Sequence, residues 1–426
     1  MVDALALGAF KLALGVWVLH TGFTHVSDDD YARTAIAEGF AHAPRLDPSG
    51  TSWLPFPFWV EGLTMMATER SLGVARAVAL VLGAAAVGAP YLAMRAVGMD
   101  RIGAFAASVV GAALPYSAWL GAATVPEGWA GALTAAALLA LPASRARPWG
   151  AAALLVASLS RYEAWAACAV FAFFCVRRPT KGGARGREVG CALLAVAGPL
   201  AWMAWNAYAH GSPVHFVTRV TTFRHAIGAA DVPLATKALG YPLALLSDTP
   251  EVAALALAGA VGIGASATLR ARWLWAAIGA AGILAFLVAG DLGDGAPTHH
   301  PARALSAVWW LGVAIGADAV VAAILRTRRP WRPGAVIAAG ALAGAWAILL
   351  PARWRAAPGE TEAERRDAQI ARGLALRARG VASVEITPCA FEHFALIAAW
   401  GAPERAKVNP RTGEPLTAAC PRVDER

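Results

Sequence analysis

Long apolar segments recur along most of this chain, and they constrain its fold more than any other feature. They lie near residues 5–24, 73–94, 102–120, 128–142, 149–160, 163–176, 189–208, 252–269, 273–290, 304–325 and 334–350. A helix needs about 20 apolar residues to cross a bilayer. Only 15% of the 426 residues are charged, against about 25% in a soluble domain. The sequence therefore predicts an all-α polytopic membrane protein with about eleven transmembrane helices.

Basic residues cluster in every second loop, which predicts the orientation of the chain. These residues are Arg95, Arg101, Arg145, Arg147, Arg177, Arg178, Lys181, Arg185, Arg187, Arg270, Arg272, Arg326, Arg328, Arg329 and Arg332. Short loops rich in Lys and Arg stay in the cytoplasm. We therefore expect a cytoplasmic N-terminus and an external C-terminus. The net charge of +9 follows from these loops and does not indicate a nucleic-acid partner. Lys11, inside the first segment, is expected to snorkel toward the cytoplasm.

Two regions follow from this pattern. Residues 1–352 form the predicted transmembrane domain, with a long first outer loop at 25–72. Residues 353–426, the C-terminal tail, are polar and are expected outside as a small α/β appendage. Within this tail, an amphipathic helix precedes a strand and a further helix. Cys389 and Cys420 are expected to pair, because disulfides persist outside the cytoplasm.

Three adjacent aspartates, Asp28, Asp29 and Asp30, directly follow the first apolar segment. They can be read as solvated loop charges or as a helix N-cap, which aspartate suits. The alternative is a catalytic base, because a carboxylate beside a like charge tends to have a raised pKa. The amphipathic, aromatic stretch that follows them would lie along the membrane interface.

Further charged residues fall at the predicted outer surface. Arg161 and Glu163 separate two apolar segments too short to cross alone, and such charges face a protein-lined cavity. They are either a mutual ion pair or ligands for a phosphate and a sugar hydroxyl. Glu127 follows Pro126 at a span start, where the helix dipole favours a carboxylate.

"THHPARAL" contributes His299, His300 and Arg303 at the start of a late segment. These residues would either anchor the span at the interface or clamp a phosphate, since a guanidinium matches phosphate oxygens in bidentate fashion. No nucleotide-binding motif occurs, and no spacing indicates a zinc site.

These stretches resemble motifs of the bacterial GT-C membrane glycosyltransferases. "SDDDYARTAIAEG" is similar to their Asp-Asp-Ala-Tyr opening of the first outer loop, and "DPSGTSWLPFPFWVEGL" to the Thr-Ser-Pro-Leu-Trp stretch after it. "LSRYEAWA" resembles their Thr-Arg-Pro-Glu-Gly turn, with Tyr162 in place of proline. "HHPARALSAVWW" resembles their late arginine motif, with Ala304 in place of an aromatic residue. Asp30 stands where the family has a small residue, so we expect it to tolerate alanine better than its neighbours.

The resemblance implies a GT-C-like fold and an inverting hexosyl- or pentosyltransferase in a bacterial inner membrane. Such an enzyme moves a sugar from a polyprenyl-phosphate donor to a glycan, lipid or protein acceptor outside the membrane. It implies Asp28 or Asp29 as the general base, with substrate binding by Glu127, Arg161, Glu163, His299, His300 and Arg303. No metal and no cofactor is predicted, and membrane lipids are the only other partners expected. The alternative is a secondary transporter or a lipid flippase of the cell envelope.

Overall fold

The chain is largely helical. A computed structural model describes residues 1–177, 185–226, 231–295, 301–355, 360–411 and 420–425, with side chains of the 360–378 helix described from residue 366. The first ten helices are α1 (Val2–His20), α2 (Asp29–His42), α3 (Phe56–Ala67), α4 (Leu72–Ala86), α5 (Gly88–Ala96), α6 (Arg101–Ala113), α7 (Pro115–Leu120), α8 (Glu127–Ala140), α9 (Arg147–Ser158) and α10 (Glu163–Arg177). The others are α11 (Arg185–His210), α12 (His215–Ala226), α13 (Leu234–Asp248), α14 (Pro250–Ala265), α15 (Ala267–Leu292), α16 (Pro301–Ala304), α17 (Ser306–Arg326), α18 (Arg332–Arg355), α19 (Glu360–Ala378) and α20 (His393–Trp400).

The predicted class, a polytopic helical membrane protein, is confirmed, but not every predicted apolar segment is a single helix long enough to cross a membrane. Among the described residues, six helices are long and apolar enough to cross a membrane, with α4 and α5 counted as one. A seventh candidate is the pair α13 and α14, bent by 103°. The expected number was about eleven. The difference arises because α8, α9 and α10 contain only 14, 12 and 15 residues, and because Pro115 divides the segment at 102–120 into α6 and α7.

Helices α8 and α17 lie at the centre of the bundle. Nearly every residue of α8 is buried, as are most residues of α17 from Ser306 to Ala319. Their burial shows that these two helices are surrounded by other helices of the chain. The two helices approach closely at Gly131, where an added Cβ would lie 2.3 Å from the Ser306 Oγ. This close approach brings together the N-terminal ends of α8 and α17, near Glu127 and Arg303.

Lys11 does not snorkel. Its side chain is 5% exposed, and its ammonium donates to the Ala112 carbonyl and the Ser117 hydroxyl, both at 3.2 Å, and to the Ser117 carbonyl. The break between α6 and α7 leaves carbonyls without helical partners there. These acceptors stabilise Lys11 inside the bundle, so it has no need to reach the membrane surface.

The first outer loop contains α2 and α3, which pack against each other. Gly62 in α3 permits this contact, since a Cβ there would lie 2.4 Å from Cδ1 of Phe40 and 2.9 Å from the Ala37 carbonyl oxygen. The loop is therefore an ordered pair of helices that begins at the aspartates.

The C-terminal tail forms the predicted small α/β unit. Helix α19 precedes strand β1 (Val384–Thr387), helix α20 and strands β2 (Ala406–Val408) and β3 (Arg422–Glu425). The sheet order is β2-β1-β3, with β1 parallel to β2 and antiparallel to β3. The predicted Cys389–Cys420 disulfide is present. The division of the chain at residue 352 stays a prediction.

This tail packs on the first outer loop. Ala35 of α2 shares an apolar cluster with Leu376, Leu396, Ile397 and Trp400 of the tail. Arg70 pairs with Glu404 at 2.8 Å, and Arg377 pairs with Glu69 at 3.0 Å. The tail is thus placed beside the aspartates that follow α1.

Candidate functional site

Arg161 lies in the break between α9 and α10. Its guanidinium contacts the Glu163 carboxylate through two hydrogen bonds, of 2.5 and 3.1 Å. Its Nη1 lies 3.0 Å from Oε1 of Glu127. Both glutamates begin helices, where the helix dipole stabilises a carboxylate. The break therefore carries one arginine between two acids.

Arg303 extends these contacts to the first outer loop. Its Nη2 lies 3.3 Å from Oε1 of Glu127 and donates to Oδ2 of Asp29 at 2.7 Å. Its Nη1 donates to the Ser27 hydroxyl at 2.5 Å. These contacts form one continuous network, which we call the charged network. Its members are Asp29, Arg303, Glu127, Arg161 and Glu163. Five charges from four distant chain segments are brought together.

A cleft opens beside this network. It is small and half open to the surface. Its lining is Glu127, Ala130, Gly131, Thr134, Arg161, Glu163, Ala164, Arg303, Ala304, Ser306 and Ala307. Both network arginines thus face a common space, with small residues of α8 and α17 forming the remaining walls.

The cleft is tied to the first outer loop by Tyr162. Its hydroxyl donates to the Ser52 carbonyl at 2.7 Å and accepts from the Trp202 indole at 3.0 Å. Its ring stacks on Phe216 at 4.7 Å between centroids. Tyr162 therefore connects the α9–α10 break to the loop.

Asp29 borders the network and keeps partial contact with solvent, with 37% of its side chain exposed. Burial of its surroundings raises the pKa of Asp29, but the charges of Arg303 and Arg33 outweigh that effect and hold the pKa below the usual aspartate value. Asp29 is therefore an anion that orients Arg303.

Asp28 does not join the charged network by any described contact. Its two carboxylate oxygens accept from Nε and Nη2 of Arg366, in α19, at 2.6 and 2.8 Å. The two neighbouring aspartates are thus held by arginines from different parts of the chain. Arg366 was not predicted from the sequence, because no motif marks it in the C-terminal tail.

Asp30 is buried and holds backbone groups around the start of α2. It is 2% exposed, and its carboxylate accepts from the backbone N–H groups of Val26 (3.1 Å), Ser27 (3.2 Å) and Thr124 (2.9 Å). Burial raises the pKa of Asp30 to about 6, although the Ser27 and Thr124 N–H groups favour its charged form. It fixes the turn before α2 against the loop before α8, so replacement by alanine should not be well tolerated.

Arg33 is a further charged residue near the network. It follows Asp29 by one helical turn in α2, and its guanidinium lies 4.4 Å from the centre of the Trp53 ring. Its Nε and Nη1 have no hydrogen-bond partner among the described residues. Burial lowers the pKa of Arg33, and the Glu127 and Asp29 charges oppose this. The spacing of four residues from Asp29 was the available sequence signal.

His299 and His300 lie outside the described residues. Four of the predicted site residues line the cleft, namely Glu127, Arg161, Glu163 and Arg303. Asp29 is connected to the cleft through its hydrogen bond from Arg303. Within the described part of the chain, no group of three or more His, Cys, Asp or Glu residues could hold a metal ion. The carboxylates of Asp29, Glu127 and Glu163 each contact a guanidinium. A divalent cation is instead bound by several oxygen ligands, without a competing positive charge.

Known proteins match this chain by structure. No protein-family model matches the sequence, and no curated protein matches it. The oligosaccharyltransferase AglB from Archaeoglobus fulgidus, solved with an inhibitory peptide and a dolichol-phosphate, aligns with a TM-score of 0.53 and 15% identity, over 87% of this chain and 58% of AglB. This chain thus spans little more than half the length of AglB. ArnT from Cupriavidus metallidurans, solved with undecaprenyl phosphate, aligns at 0.49 and 14% identity over 94% of this chain and 75% of ArnT, a score too low to support an inference. The AglB likeness shows a shared fold.

Proposed function

We propose that this chain, whose fold is that of the GT-C membrane glycosyltransferases, moves a sugar from a polyprenyl-phosphate donor to an acceptor outside the membrane. The observation that carries the proposal is the charged network, in which two arginines face one cleft beside a loop of aspartates. AglB, which has the same fold, was solved with a dolichol-phosphate. The acceptor is a glycan, a lipid or a protein.

Arg303 and Arg161 would bind the phosphate of the donor. A guanidinium matches phosphate oxygens in planar, bidentate fashion. Asp29, Glu127 and Glu163 hold the two guanidiniums in fixed orientations. When the bond from the anomeric carbon to the phosphate oxygen breaks, the phosphate gains negative charge. The arginines then stabilise the transition state more strongly than the bound donor.

Asp28 is the better candidate for the base. In an inverting displacement the nucleophile and the leaving group lie on opposite faces of the sugar. Inverting glycosidases keep their two catalytic carboxyls about 6.5–9.5 Å apart to leave room for the attacking water. Asp29 lies only 2.7 Å from Arg303, which leaves no room for a sugar between them. Asp28 is adjacent in sequence but is held by Arg366 instead.

The balanced reaction is a single displacement. The acceptor oxygen forms a bond to the anomeric carbon while the bond to the phosphate oxygen breaks. The acceptor's proton passes to Asp28, and polyprenyl phosphate leaves with the bonding electron pair. The product should therefore have the opposite anomeric configuration to the donor, and the transferred sugar is a hexose or a pentose.

The proposal includes a location and an orientation. The chain would lie in a bacterial inner membrane with the cleft on the outer side, where a polyprenyl-linked phosphate lies at the interface. The basic loops at 177–187 and 326–332 would face the cytoplasm.

A transfer assay tests the function. Purified protein is incubated with polyprenyl-phosphate sugars labelled in the sugar and with extracts of cell-envelope acceptors. We expect label in an acceptor, release of polyprenyl phosphate and inverted configuration. Movement of intact labelled donor across a vesicle membrane without bond cleavage would instead favour the transporter or flippase.

A further inference from the structure

We propose that the C-terminal tail supplies a positioning residue for the transfer reaction, and that this residue is Arg366, which fixes the carboxylate of Asp28. This inference rests on the proposed function, because it assigns Arg366 a role through the candidate base. Arg366 would act without touching substrate.

The contact is a two-point ion pair. Nε and Nη2 of Arg366 donate to Oδ1 and Oδ2 of Asp28 at 2.6 and 2.8 Å. Two parallel bonds between planar groups fix the plane of the carboxylate as well as its position. Each carboxylate oxygen can still accept a further hydrogen bond, so an acceptor hydroxyl can bind while Arg366 stays in place.

The side chain of Arg366 is enclosed, whereas Arg377 and Arg379, in the described part of the tail, form ion pairs nearer the surface. Its side chain is 2% exposed, whereas that of Asp28 is 19% exposed. Arg379, the residue after the end of α19, pairs with Glu425 while 55% of its side chain is exposed. Exposed pairs contribute little to stability, and an enclosed arginine is held in one geometry by its surroundings. The Arg366 guanidinium is thus fixed by its enclosed surroundings, while the Asp28 carboxylate remains partly accessible from solvent.

The tail holds α19 by contacts one and two turns beyond Arg366. Gln369 donates to the Cys420 carbonyl at 3.0 Å, and Arg372 donates to the Pro421 carbonyl at 2.8 Å. Cys420 is joined to Cys389. The segment that the disulfide anchors therefore supports the helix that carries Arg366.

The tail also contacts α2 directly, just after Asp28. Tyr31 packs with Ala395 and Ala398 of α20, and Ala35 packs with Trp400. Asp28, which precedes the first residue of α2, is thereby held between the helix it begins and the tail. A base aimed at an acceptor must be positioned to within a fraction of an ångström, because a misplacement of 1 Å can cost about 100-fold in rate.

The test compares Arg366→Met, Arg366→Lys and the control Arg379→Met in the transfer assay. We expect Arg366→Met to lower kcat by about 10- to 100-fold with the donor KM unchanged. Arg366→Lys should be intermediate, since lysine keeps the charge and loses the second bond. Arg379→Met should match the wild type. A kcat for Arg366→Met within twofold of the wild type overturns the inference.

The same substitution made in Asp28→Asn protein distinguishes a positioning role of Arg366 from a general structural role. In Asp28→Asn protein, adding Arg366→Met should leave the residual rate unchanged, because the group through which Arg366 acts is already lost. An equal fractional loss in both backgrounds contradicts the inference. If Arg366→Met does not fold, Arg366→Lys decides: a kcat at least threefold below the wild type with unchanged KM supports the inference, and an unchanged kcat overturns it. Absence of transfer by the wild type overturns the proposed function and this inference together.

Discussion

Arg303 donates a 2.7 Å hydrogen bond to Asp29, although 274 positions separate the two residues in the chain. This bond links the first outer loop to α16, the short helix that precedes α17. Arg303 is enclosed, with 6% of its side chain exposed, so its orientation depends on the acids around it. Asp29 is thus held by Arg303, whereas Asp28 is held by Arg366. Substitutions of the two aspartates should therefore have different effects.

Replacing Asp29 by asparagine should weaken donor binding more than it slows the chemical step. The amide keeps an acceptor for Arg303 but removes the charge, and hydrogen bonds to charged groups contribute about 1.5–3 kcal/mol. We expect the donor KM to rise by at least tenfold, and kcat to fall less than in Asp28→Asn. Steady-state kinetics with varied donor would measure both. A larger kcat loss for Asp29→Asn than for Asp28→Asn would reverse the assignment of the base.

Replacing Asp30 by alanine should destabilise the protein. Three backbone N–H groups would lose their acceptor, and leaving buried donors unpaired costs about 1–3 kcal/mol each. We expect a lower thermal unfolding midpoint in detergent, with Asp30→Asn between alanine and the wild type. An unchanged midpoint for Asp30→Ala would show that these contacts contribute little.

Glu61 should make stability depend on pH. Burial raises the pKa of Glu61 to about 8 from an ordinary value of 4.5, an effect that Arg33 only partly offsets. Between these values the folded protein binds the proton and the unfolded chain does not, so this group's contribution to stability decreases as pH rises from about 5 to 8. Glu61→Gln should flatten that part of the unfolding-midpoint curve, and Glu425→Gln, at an exposed pair, should not. An identical slope in Glu61→Gln and the wild type would contradict this account.

The orientation can be tested with reporters. A periplasm-active reporter fused after Arg426 should be active, and one inserted near Gly183 should be inactive, because the basic loops are expected to stay inside. A cytoplasmic C-terminus would place the tail, and with it the Asp28–Arg366 contact, on the wrong side for a donor presented outside.

Hydropathy and motif order predict the class of fold and the residues around the cleft. Arg161, Glu163 and Arg303 were recognisable because charges at membrane depth require a partner or water. The contacts with Arg366 and Arg33 were not predicted, since one lies in a tail without motifs and the other depends on how α2 rotates. The roles of Asp28, Asp29 and Asp30 could not be separated from sequence either, because adjacent residues on a helix start point in different directions. Lys11 shows the same limit: its partners exist only because α6 and α7 are separated by a break.

The rate of sugar transfer by Asp28→Asn, relative to the wild type under single-turnover conditions, tests the central claim most directly. Loss of a general base should lower this rate by about 10²–10⁴-fold, while the unfolding midpoint and donor binding stay close to those of the wild type. A rate within a few-fold of the wild type, in folded protein that binds the donor, would contradict the assignment of Asp28 as the base.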